Sequence, residues 1–364
     1  MINFSTEPAT ESSGEVSLRI AILGADKDLG LLIYRALTRR GADSLLPVVE
    51  HRPRSSLGLE GWVLCDLQRS ADLGVFLEDC DLLIHAAAPF RGAPQGIVDV
   101  AIQMGIHYLD LCDDWLYLQN VLGRDSRAKE AGVGILSGLA TFPGLSAILA
   151  AELVREWSAV KSFRLFYSPG DVVLSSHAFM GALCEMVGAP VTRREWQNSI
   201  EVRGWDEPEL VRFAEPVGVV TVRNGNVPDL DLFPLEFGCA SAVFKIGVQS
   251  AALRCALSCS AGRAVLSGCS PVARALTPQR GSVRGALRIV AEGERGQQKV
   301  RACVDAVEKE CSGGLAVGVI LHAVERARQG RLPGGAVRLT EWASTPEATR
   351  FLESVGVEVV WTDE

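Results

Sequence analysis

The sequence predicts an α/β Rossmann fold, a doubly wound parallel sheet, joined to a second α+β domain with a mainly antiparallel sheet. Residues 18–150 alternate between short apolar runs and helical segments, as the strands and crossover helices of a parallel sheet do. Later segments alternate apolar and polar residues, which is typical of antiparallel strands with one face in water. Residues 19–37 join a strand, a glycine-containing turn and an amphipathic helix, the order that binds a dinucleotide diphosphate.

Each element of the first domain has its own pattern. Apolar runs predict strands at 19–24, 44–51, 62–67, 81–87, 107–113 and 132–138. Helical periodicity between them predicts helices at 29–41, 95–106 and 126–132. A further helix, 147–157, follows the turn at 141–146, and the change of composition there marks the domain boundary.

The second domain is predicted from alternating segments at 162–169, 218–224, 241–250, 282–294 and 297–307. Residues 313–330 predict a helix that ends at Gly330 before Pro333, and a short helix and a terminal strand follow. We therefore expect a mobile N-terminal tail at 1–16, the Rossmann domain at 17–150, an α+β substrate or dimerisation domain at 151–312, and a C-terminal segment at 313–364 that packs back on the Rossmann domain.

Composition argues against several classes of protein. The 364 residues are 48% hydrophobic and carry a net charge of −8, which predicts a large core and no basic surface for nucleic acid or an anionic membrane. The chain shows no signal peptide and no apolar run of about 18 residues, so we expect a cytoplasmic protein. The 10 cysteines form no Cys-x-x-Cys pair and the 5 histidines are dispersed, so we expect buried thiols and no metal site.

The turn after the first strand supplies the first candidate cofactor-binding residues. Gly24 and Gly30 are the small residues needed where the backbone and a diphosphate nearly touch. Lys27 occupies the position at which the usual motif has its middle glycine, so the fingerprint is incomplete. The residues of this turn that we expect to contact the cofactor are Gly24, Ala25, Asp26, Lys27, Asp28, Leu29 and Gly30.

The end of the second strand supports two interpretations of cofactor choice. Glu50 lies about twenty residues after Gly30, where a carboxylate accepts hydrogen bonds from the ribose hydroxyls of NAD. Arg52, next to His51, instead suits the 2′-phosphate of NADP, and an ordinary polar turn is the structural alternative. We expect NADP, with NAD as the alternative. After the third strand we expect Asp66 and Leu67 to line the adenine pocket, although Asp66 also suits a helix N-cap.

Three ordered segments resemble one known family. They are DLLIHAAAPFRG at 81–92, DVAIQMGIHYLDLCDD at 99–114 and AKEAGVGILSGLATFPGLSAILA at 128–150. In this order they are similar to the saccharopine dehydrogenase-like (saccharopine reductase) family of NAD(P)-binding oxidoreductases. The resemblance implies a Rossmann domain, a nicotinamide cofactor, and reduction of an imine formed from an amine or amino acid and a carbonyl compound, or the reverse. Ala88 departs from the pattern, because a glycine is common before Pro-Phe.

The same segments carry further site residues. Small residues after the fourth strand leave room for the nicotinamide ribose, and the expected cofactor contacts there are Ala87, Ala88, Pro89 and Phe90. The resemblance implies that Asp113 is a catalytic and cofactor-binding residue nearest the reacting carbon, with Asp114 capping the next helix; the alternative is that both only cap. The resemblance also favours cofactor contacts from Phe142, Pro143 and Gly144, for which a plain turn is the alternative.

In the second domain, Ser175 and Ser176 precede a helical run whose N-terminus favours a substrate carboxylate, so both are expected to bind substrate. His177 is a candidate catalytic proton donor, although a histidine beside a capping serine is more often structural. The expected partners are a small-molecule substrate and a second copy of the chain, because a β-rich domain can pair edge to edge into a homodimer. Two alternatives stay open: a carbonyl or cyclic-imine reductase, and a non-catalytic nucleotide- or protein-binding descendant of the fold.

Overall fold

The structure is a computed structural model, and it describes residues 16–41, 44–67, 70–90, 96–196, 198–268, 283–309, 313–342 and 345–363. These residues form two compact units. The first unit contains the described residues of 16–144 and 317–342, and the second contains those of 145–316 and 345–363.

The strands, in chain order, are β1 (Arg19–Leu23), β2 (Ser44–Val49), β3 (Val63–Leu64), β4 (Leu82–His85), β5 (His107–Asp110), β6 (Gly134–Leu136), β7 (Ala159–Ser168), β8 (Pro190–Glu195), β9 (Asn198–Arg203), β10 (Glu209–Arg212), β11 (Val219–Asn224), β12 (Ser241–Ile246), β13 (Ala286–Arg295), β14 (Gln298–Glu308), β15 (Gly335–Ala336) and β16 (Val357–Asp363).

The α-helices are α1 (Asp28–Arg40), α2 (Ser70–Leu77), α3 (Ile97–Met104), α4 (Trp115–Leu122), α5 (Asp125–Ala131), α6 (Ser146–Leu153), α7 (Asp171–Leu174), α8 (His177–Met186), α9 (Asp229–Phe237), α10 (Ala251–Ser258), α11 (Ser260–Gly268), α12 (Gly314–Arg328) and α13 (Thr345–Ser354). Among the described residues, none of these helices has the length and apolar character needed to cross a bilayer.

The described strands of the first unit form a seven-stranded sheet in the order β15-β6-β5-β4-β1-β2-β3, and all of its pairings are parallel. Strand β4 is buried over its whole length, which is typical of a parallel strand covered on both faces. The strand order reverses at β1, which lies between β2 and β4. Such a reversal opens a crevice at the carboxyl ends of the strands. The predicted Rossmann fold is confirmed.

The second unit contains a sheet of nine described strands, ordered β10-β11-β12-β7-β13-β14-β16, with β8 and β9 attached beside β12. Strands β7 and β12 pair in parallel, and the other described pairings are antiparallel. One cluster of its core packs Phe166 and Phe213 against Val222 and Val290. The predicted α+β domain with a mainly antiparallel sheet is confirmed.

The C-terminal segment at 313–364, which we expect to pack back on the Rossmann domain, is divided between the two units: residues 317–342 belong to the first and 345–363 to the second. Strand β15 extends the first sheet beside β6. Strand β16 instead pairs with β14, with Val307 level with Glu358. The physical reason is that β14 pairs with β13 along one edge only, so its other edge offers backbone groups that a further strand can satisfy.

A buried carboxyl group ties two helices of the second unit together. The Ser146 hydroxyl, at the start of α6, donates a hydrogen bond to Oδ1 of Asp229, at the start of α9. Asp229 is fully buried, and burial raises its pKa to about 7. The hydrogen bond therefore supplies a donor for a carboxyl group that has no access to water.

Candidate functional site

The turn after β1 brings three chain segments of the first unit into close contact. Gly24 has φ of +73°, and a Cβ there would lie 2.7 Å from the Ala87 Cα, just beyond the end of β4. A Cβ on Gly30 would lie 2.1 Å from the Gly24 carbonyl oxygen. Neither position accepts a side chain without backbone movement. The absence of a side chain at both positions therefore allows the start of α1 and the residues after β4 to pack against this turn.

The N-terminus of α1 opens beside this contact. The Lys27 N–H donates to the Gly24 carbonyl at 2.9 Å, and the Lys27 carbonyl accepts from Leu31 at 2.8 Å. Lys27 is the N-cap residue, and its side chain makes no hydrogen bond to the helix. The first N–H groups of a helix have no partners within it and carry positive potential, so this end is suited to an anion. Asp26 Oδ1 is buried here with no hydrogen-bond partner among the described residues.

Charged residues surround the carboxyl ends of β2 and β3. The Lys27 Nζ lies 3.8 Å from Oε2 of Glu50, the first residue after β2. His51 and Arg52 are exposed, as is Asp66, whereas Leu67 is buried. The pKa of the nearby Cys65 thiol is raised by burial and then by the charges of Asp72, Asp66 and Glu50. This edge of the sheet is therefore acidic, with Lys27 as a counter-ion to Glu50.

A buried hydrogen-bonded cluster joins the end of β4 to β5 and α4. The His85 Nδ1 is 2.9 Å from the Tyr108 hydroxyl and 3.3 Å from the Tyr117 hydroxyl, and the two hydroxyls are 2.9 Å apart. The Phe90 ring packs edge-on against His85 and Tyr117. Burial lowers the pKa of His85 to about 3, so the imidazole is neutral. Of the expected cofactor contacts after β4, Phe90 lies in this core, whereas Ala88 and Pro89 are exposed.

Asp110, the last residue of β5, connects the loops that follow β5 and β6. Its Oδ1 accepts hydrogen bonds from the Cys112 N–H at 3.0 Å, the Gly138 N–H at 2.7 Å and the Ser137 hydroxyl at 2.9 Å. Burial raises the pKa of Asp110 to about 6, and these hydrogen bonds oppose the rise. The side chain fixes both loops at the edge where a Rossmann ligand binds.

Asp113 and Asp114 differ in their surroundings. Asp113 is exposed, between β5 and α4. Asp114 Oδ1 accepts from the Tyr117 N–H at 2.8 Å and so forms the N-cap of α4, as the sequence predicts. The capping role is thereby assigned to Asp114.

The remaining predicted residues lie at the unit boundary and in the second unit. Gly144 is required by packing, because a Cβ there would lie 2.6 Å from the Gly138 carbonyl oxygen, and the neighbouring Phe142 is buried. The Ser176 hydroxyl accepts from the Phe179 N–H at 3.3 Å and caps α8, while the Ser175 hydroxyl donates to Val172. His177 begins α8, and its side chain lies outside the described part of the structure.

Comparisons with known proteins agree with this fold. No family model matches the sequence, and no curated protein matches it. Similar solved structures include saccharopine dehydrogenase (L-Glu forming) from Saccharomyces cerevisiae, with a TM-score of 0.69 and 12% identity over 96% of this chain and 100% of that one. An amine dehydrogenase from Mycobacterium smegmatis has a TM-score of 0.47 and 11% identity, over 90% and 96% of the two chains. The first of these likenesses shows a dehydrogenase fold along nearly the whole chain.

Sequence reasoning did not find the His85, Tyr108 and Tyr117 cluster or the anchoring role of Asp110. A signal was present, because His85 and Asp110 are polar residues that end buried apolar strands and lie level with each other in the sheet. Among the described residues, no group of three His, Cys, Asp or Glu side chains is arranged to hold a metal ion.

We predict that Cys112 does not react as a nucleophile. The residue is fully buried, and burial, followed by the charge of Asp110, raises the pKa of its thiol, which leaves little thiolate to react. Brief treatment of the folded protein with iodoacetamide at pH 8 should label the exposed Cys255 and Cys259 and leave Cys112 unlabelled in a peptide mass map. Labelling of Cys112 at the rate of the two exposed thiols would contradict its packing role.

Proposed function

We propose that this protein is an NAD(P)-dependent oxidoreductase. The observation that carries the proposal is the close contact at the β1/β4 reversal, where neither Gly24 nor Gly30 has room for a side chain and the N-terminus of α1 is left without a side-chain cap. A dinucleotide diphosphate needs this combination of a compact turn and unpaired helix N–H groups. The parallel strand order supports the proposal, because it opens a crevice at this edge.

For the reaction, we propose reduction of a C=N carbon, formed from an amine or amino acid and a carbonyl compound, or the reverse oxidation. Two features support this choice over other dehydrogenase chemistry. The three ordered segments at 81–92, 99–114 and 128–150 resemble the saccharopine reductase family. The fold is similar along the whole length of a yeast protein that is itself a saccharopine dehydrogenase.

The bound nicotinamide would supply the hydride, and the residues of the protein would bind and orient the cofactor and the substrate. In this proposal Gly24, Gly30 and the N-terminus of α1 bind the diphosphate. Asp110 holds the loops after β5 and β6 in place, through its hydrogen bonds to Cys112, Ser137 and Gly138. Asp113, exposed beyond β5, is the proposed catalytic carboxylate, and Ser175, Ser176 and His177 are proposed for substrate. Since the Ser176 oxygen already caps α8, a backbone N–H at this helix start is the better donor to a substrate carboxylate.

The test has two stages. NADH and NADPH are first titrated against the protein while its thermal unfolding is followed, because a ligand that binds only the folded state raises stability by about 2.7 kcal/mol at a hundred times its Kd. Cofactor oxidation is then followed at 340 nm with amines and carbonyl compounds, supplied separately and together. We expect turnover only when both are present. Turnover with the carbonyl compound alone would indicate the simpler reductase, and no stabilisation by millimolar cofactor would refute the proposal.

A further inference from the structure

A cavity of about 700 Å³ lies within the second unit, and none of its lining residues takes part in the proposed function. Helix α6 forms one wall, the first half of α13 forms another, and the end of β16 forms the third. Small-molecule sites have volumes of about 300–1,000 Å³, so the cavity is large enough for a metabolite of moderate size. The side chains in its walls decide which chemical class it can bind.

Apolar side chains supply part of the wall. Leu153 is buried at the end of α6, and Pro346 lies in the first turn of α13. Trp361, on β16, is 40% exposed, although tryptophan is on average a highly buried residue. An accessible indole provides a flat apolar surface and attracts cations to the negative face of its ring. The cavity therefore suits a ligand that has an apolar part and a cationic group.

Two carboxylates line the same cavity as this indole. Asp363 is two residues beyond Trp361, and residues two apart on a strand lie on the same face. Glu152, on α6, forms an ion pair with Arg155 at 3.2 Å, but the Arg155 side chain is 63% exposed, and such a pair contributes little in water. The Glu152 carboxylate can therefore exchange this partner for a cation bound in the cavity. Two carboxylates beside an aromatic ring favour an ammonium group.

The α13 wall carries the opposite charge. This helix begins at Thr345, so the positive end of its dipole lies in the cavity wall. Arg350 is exposed, and its Nε donates to the Pro346 carbonyl at 3.2 Å, which holds the guanidinium against the first turn of the helix. A guanidinium has five N–H donors in a planar fork that matches a carboxylate. This wall is therefore suited to the carboxylate group of a ligand.

We propose that this cavity binds a free α-amino acid in its zwitterionic form, with an apolar or aromatic side chain. The ammonium group binds the two carboxylates beside Trp361. The carboxylate group binds Arg350 at the positive end of α13, and the side chain packs against Leu153 and Pro346. A simple cation or a simple anion satisfies only one of the two charged walls, so full affinity requires both charges. The proposal is independent of the proposed function, because the nucleotide edge contributes no residue to this cavity.

The test compares three probes of similar shape in ligand-observed NMR titrations of the full-length protein. L-Phenylalanine carries both charges, 2-phenylethylamine lacks the carboxylate, and 3-phenylpropanoate lacks the ammonium group. At the affinity per atom of ordinary ligands, we expect L-phenylalanine to bind with a Kd of about 1 mM. A partly exposed ion pair changes affinity up to about fivefold, so each of the other two probes should bind about fivefold more weakly.

Variants assign the binding to this cavity. Arg350→Gln should bind L-phenylalanine no more tightly than 2-phenylethylamine, because the carboxylate group loses its partner. Asp363→Asn should reduce the advantage of L-phenylalanine over 3-phenylpropanoate, which depends on the ammonium group. Thr349→Trp keeps every charge and fills the cavity from α13, so it should abolish binding of all three probes. Arg301→Gln is the matched control, because Arg301 is an exposed arginine of β14 outside the cavity, and its removal should leave the three Kd values unchanged.

The outcomes decide whether the cavity is an amino-acid site. Thermal melts show whether each variant is folded, and Arg350→Gln decides alone if Thr349→Trp is not. Weaker binding of L-phenylalanine in Arg350→Gln, with no change in Arg301→Gln, supports the proposal. No binding to the folded wild type at about 10 mM, equal Kd values for the three probes, or wild-type affinity in folded Arg350→Gln and Thr349→Trp overturns it. The last result would place the amino acid elsewhere on the protein, and the nucleotide titrations test the oxidoreductase proposal separately.

Discussion

Gly24→Ala should both destabilise the first unit and weaken dinucleotide binding. A methyl group there would lie 2.7 Å from the Ala87 Cα and 2.8 Å from the Ala87 nitrogen, and these backbone atoms cannot rotate away. The residue also has φ of +73°, which costs a non-glycine residue about 1–2 kcal/mol. Together with overpacking of about 1–3 kcal/mol, we expect the free energy of unfolding to fall by about 3 kcal/mol. Because relief of the clash moves the turn, the Kd for NADH should rise at least about tenfold.

Gly41→Ala separates backbone strain from the clash. Gly41 has φ of +70° at the C-terminus of the same helix α1, but no atom lies within 4 Å of a Cβ built there. Gly41→Ala should lower the free energy of unfolding only by the cost of this backbone conformation, about 1–2 kcal/mol, and should keep wild-type affinity for NADH. Urea unfolding measures the first quantity and calorimetry the second. Equal losses of stability in Gly24→Ala and Gly41→Ala would show that the contact with Ala87 does not constrain the turn. An unchanged Kd for NADH in Gly24→Ala would show that the diphosphate does not bind at this turn.

The sequence predicts the first sheet well because its strands are determined locally. Each is a short apolar run bounded by turns or helices, so the alternation alone predicts a parallel sheet and places Gly24 and Ala87 at the carboxyl ends of its strands. The same reasoning cannot divide the C-terminal segment. Val357–Asp363 is apolar enough for either sheet, and its partner is decided by the free edge of β14, a contact between distant parts of the chain.

The candidate site shows the same limit at the level of side chains. Helix caps depend on neighbouring residues, so the capping role of Asp114 is predictable from the sequence around it. The pairing of Lys27 with Glu50 depends on how the turn after β1 is oriented towards the end of β2, and the spacing of residues in the sequence does not predict that orientation. The position of Phe90 is equally hard to predict from the sequence. The resemblance between motifs suggests that Phe90 contacts a ligand, whereas in the structure its ring packs on His85 and Tyr117, which come from distant parts of the chain.

Acidification should destabilise the protein through His85. The folded state holds this imidazole neutral with a pKa of about 3, whereas in the unfolded chain its pKa is the ordinary 6.5. The unfolded state therefore binds a proton that the folded state excludes, so the stability that His85 contributes is complete above pH 6.5 and is lost as the pH falls towards 3. Each pH unit below 6.5 lowers the free energy of unfolding by about 1.4 kcal/mol, which gives a loss of about 3 kcal/mol between pH 7.5 and 4.5. Urea unfolding at a series of pH values measures this slope.

Variants isolate that contribution from the carboxyl groups that titrate in the same range. Asp110 and Asp229 have raised pKa values of about 6 and about 7, so both carboxyl groups stabilise the folded state on acidification and hide part of the loss in the wild-type curve.

His85→Asn keeps an acceptor near the Nδ1 position for the Tyr108 hydroxyl but has no proton to bind, so its stability should fall less on acidification than that of wild type. Tyr117→Phe removes hydrogen bonds to both partners and should cost about 1 kcal/mol at every pH, with the slope unchanged. If the free energy of unfolding varied with pH in the same way for wild type and His85→Asn, the His85 imidazole would be protonated in the folded state as readily as in the unfolded chain. The imidazole would then be accessible to water and not enclosed by Phe90, Tyr108 and Tyr117.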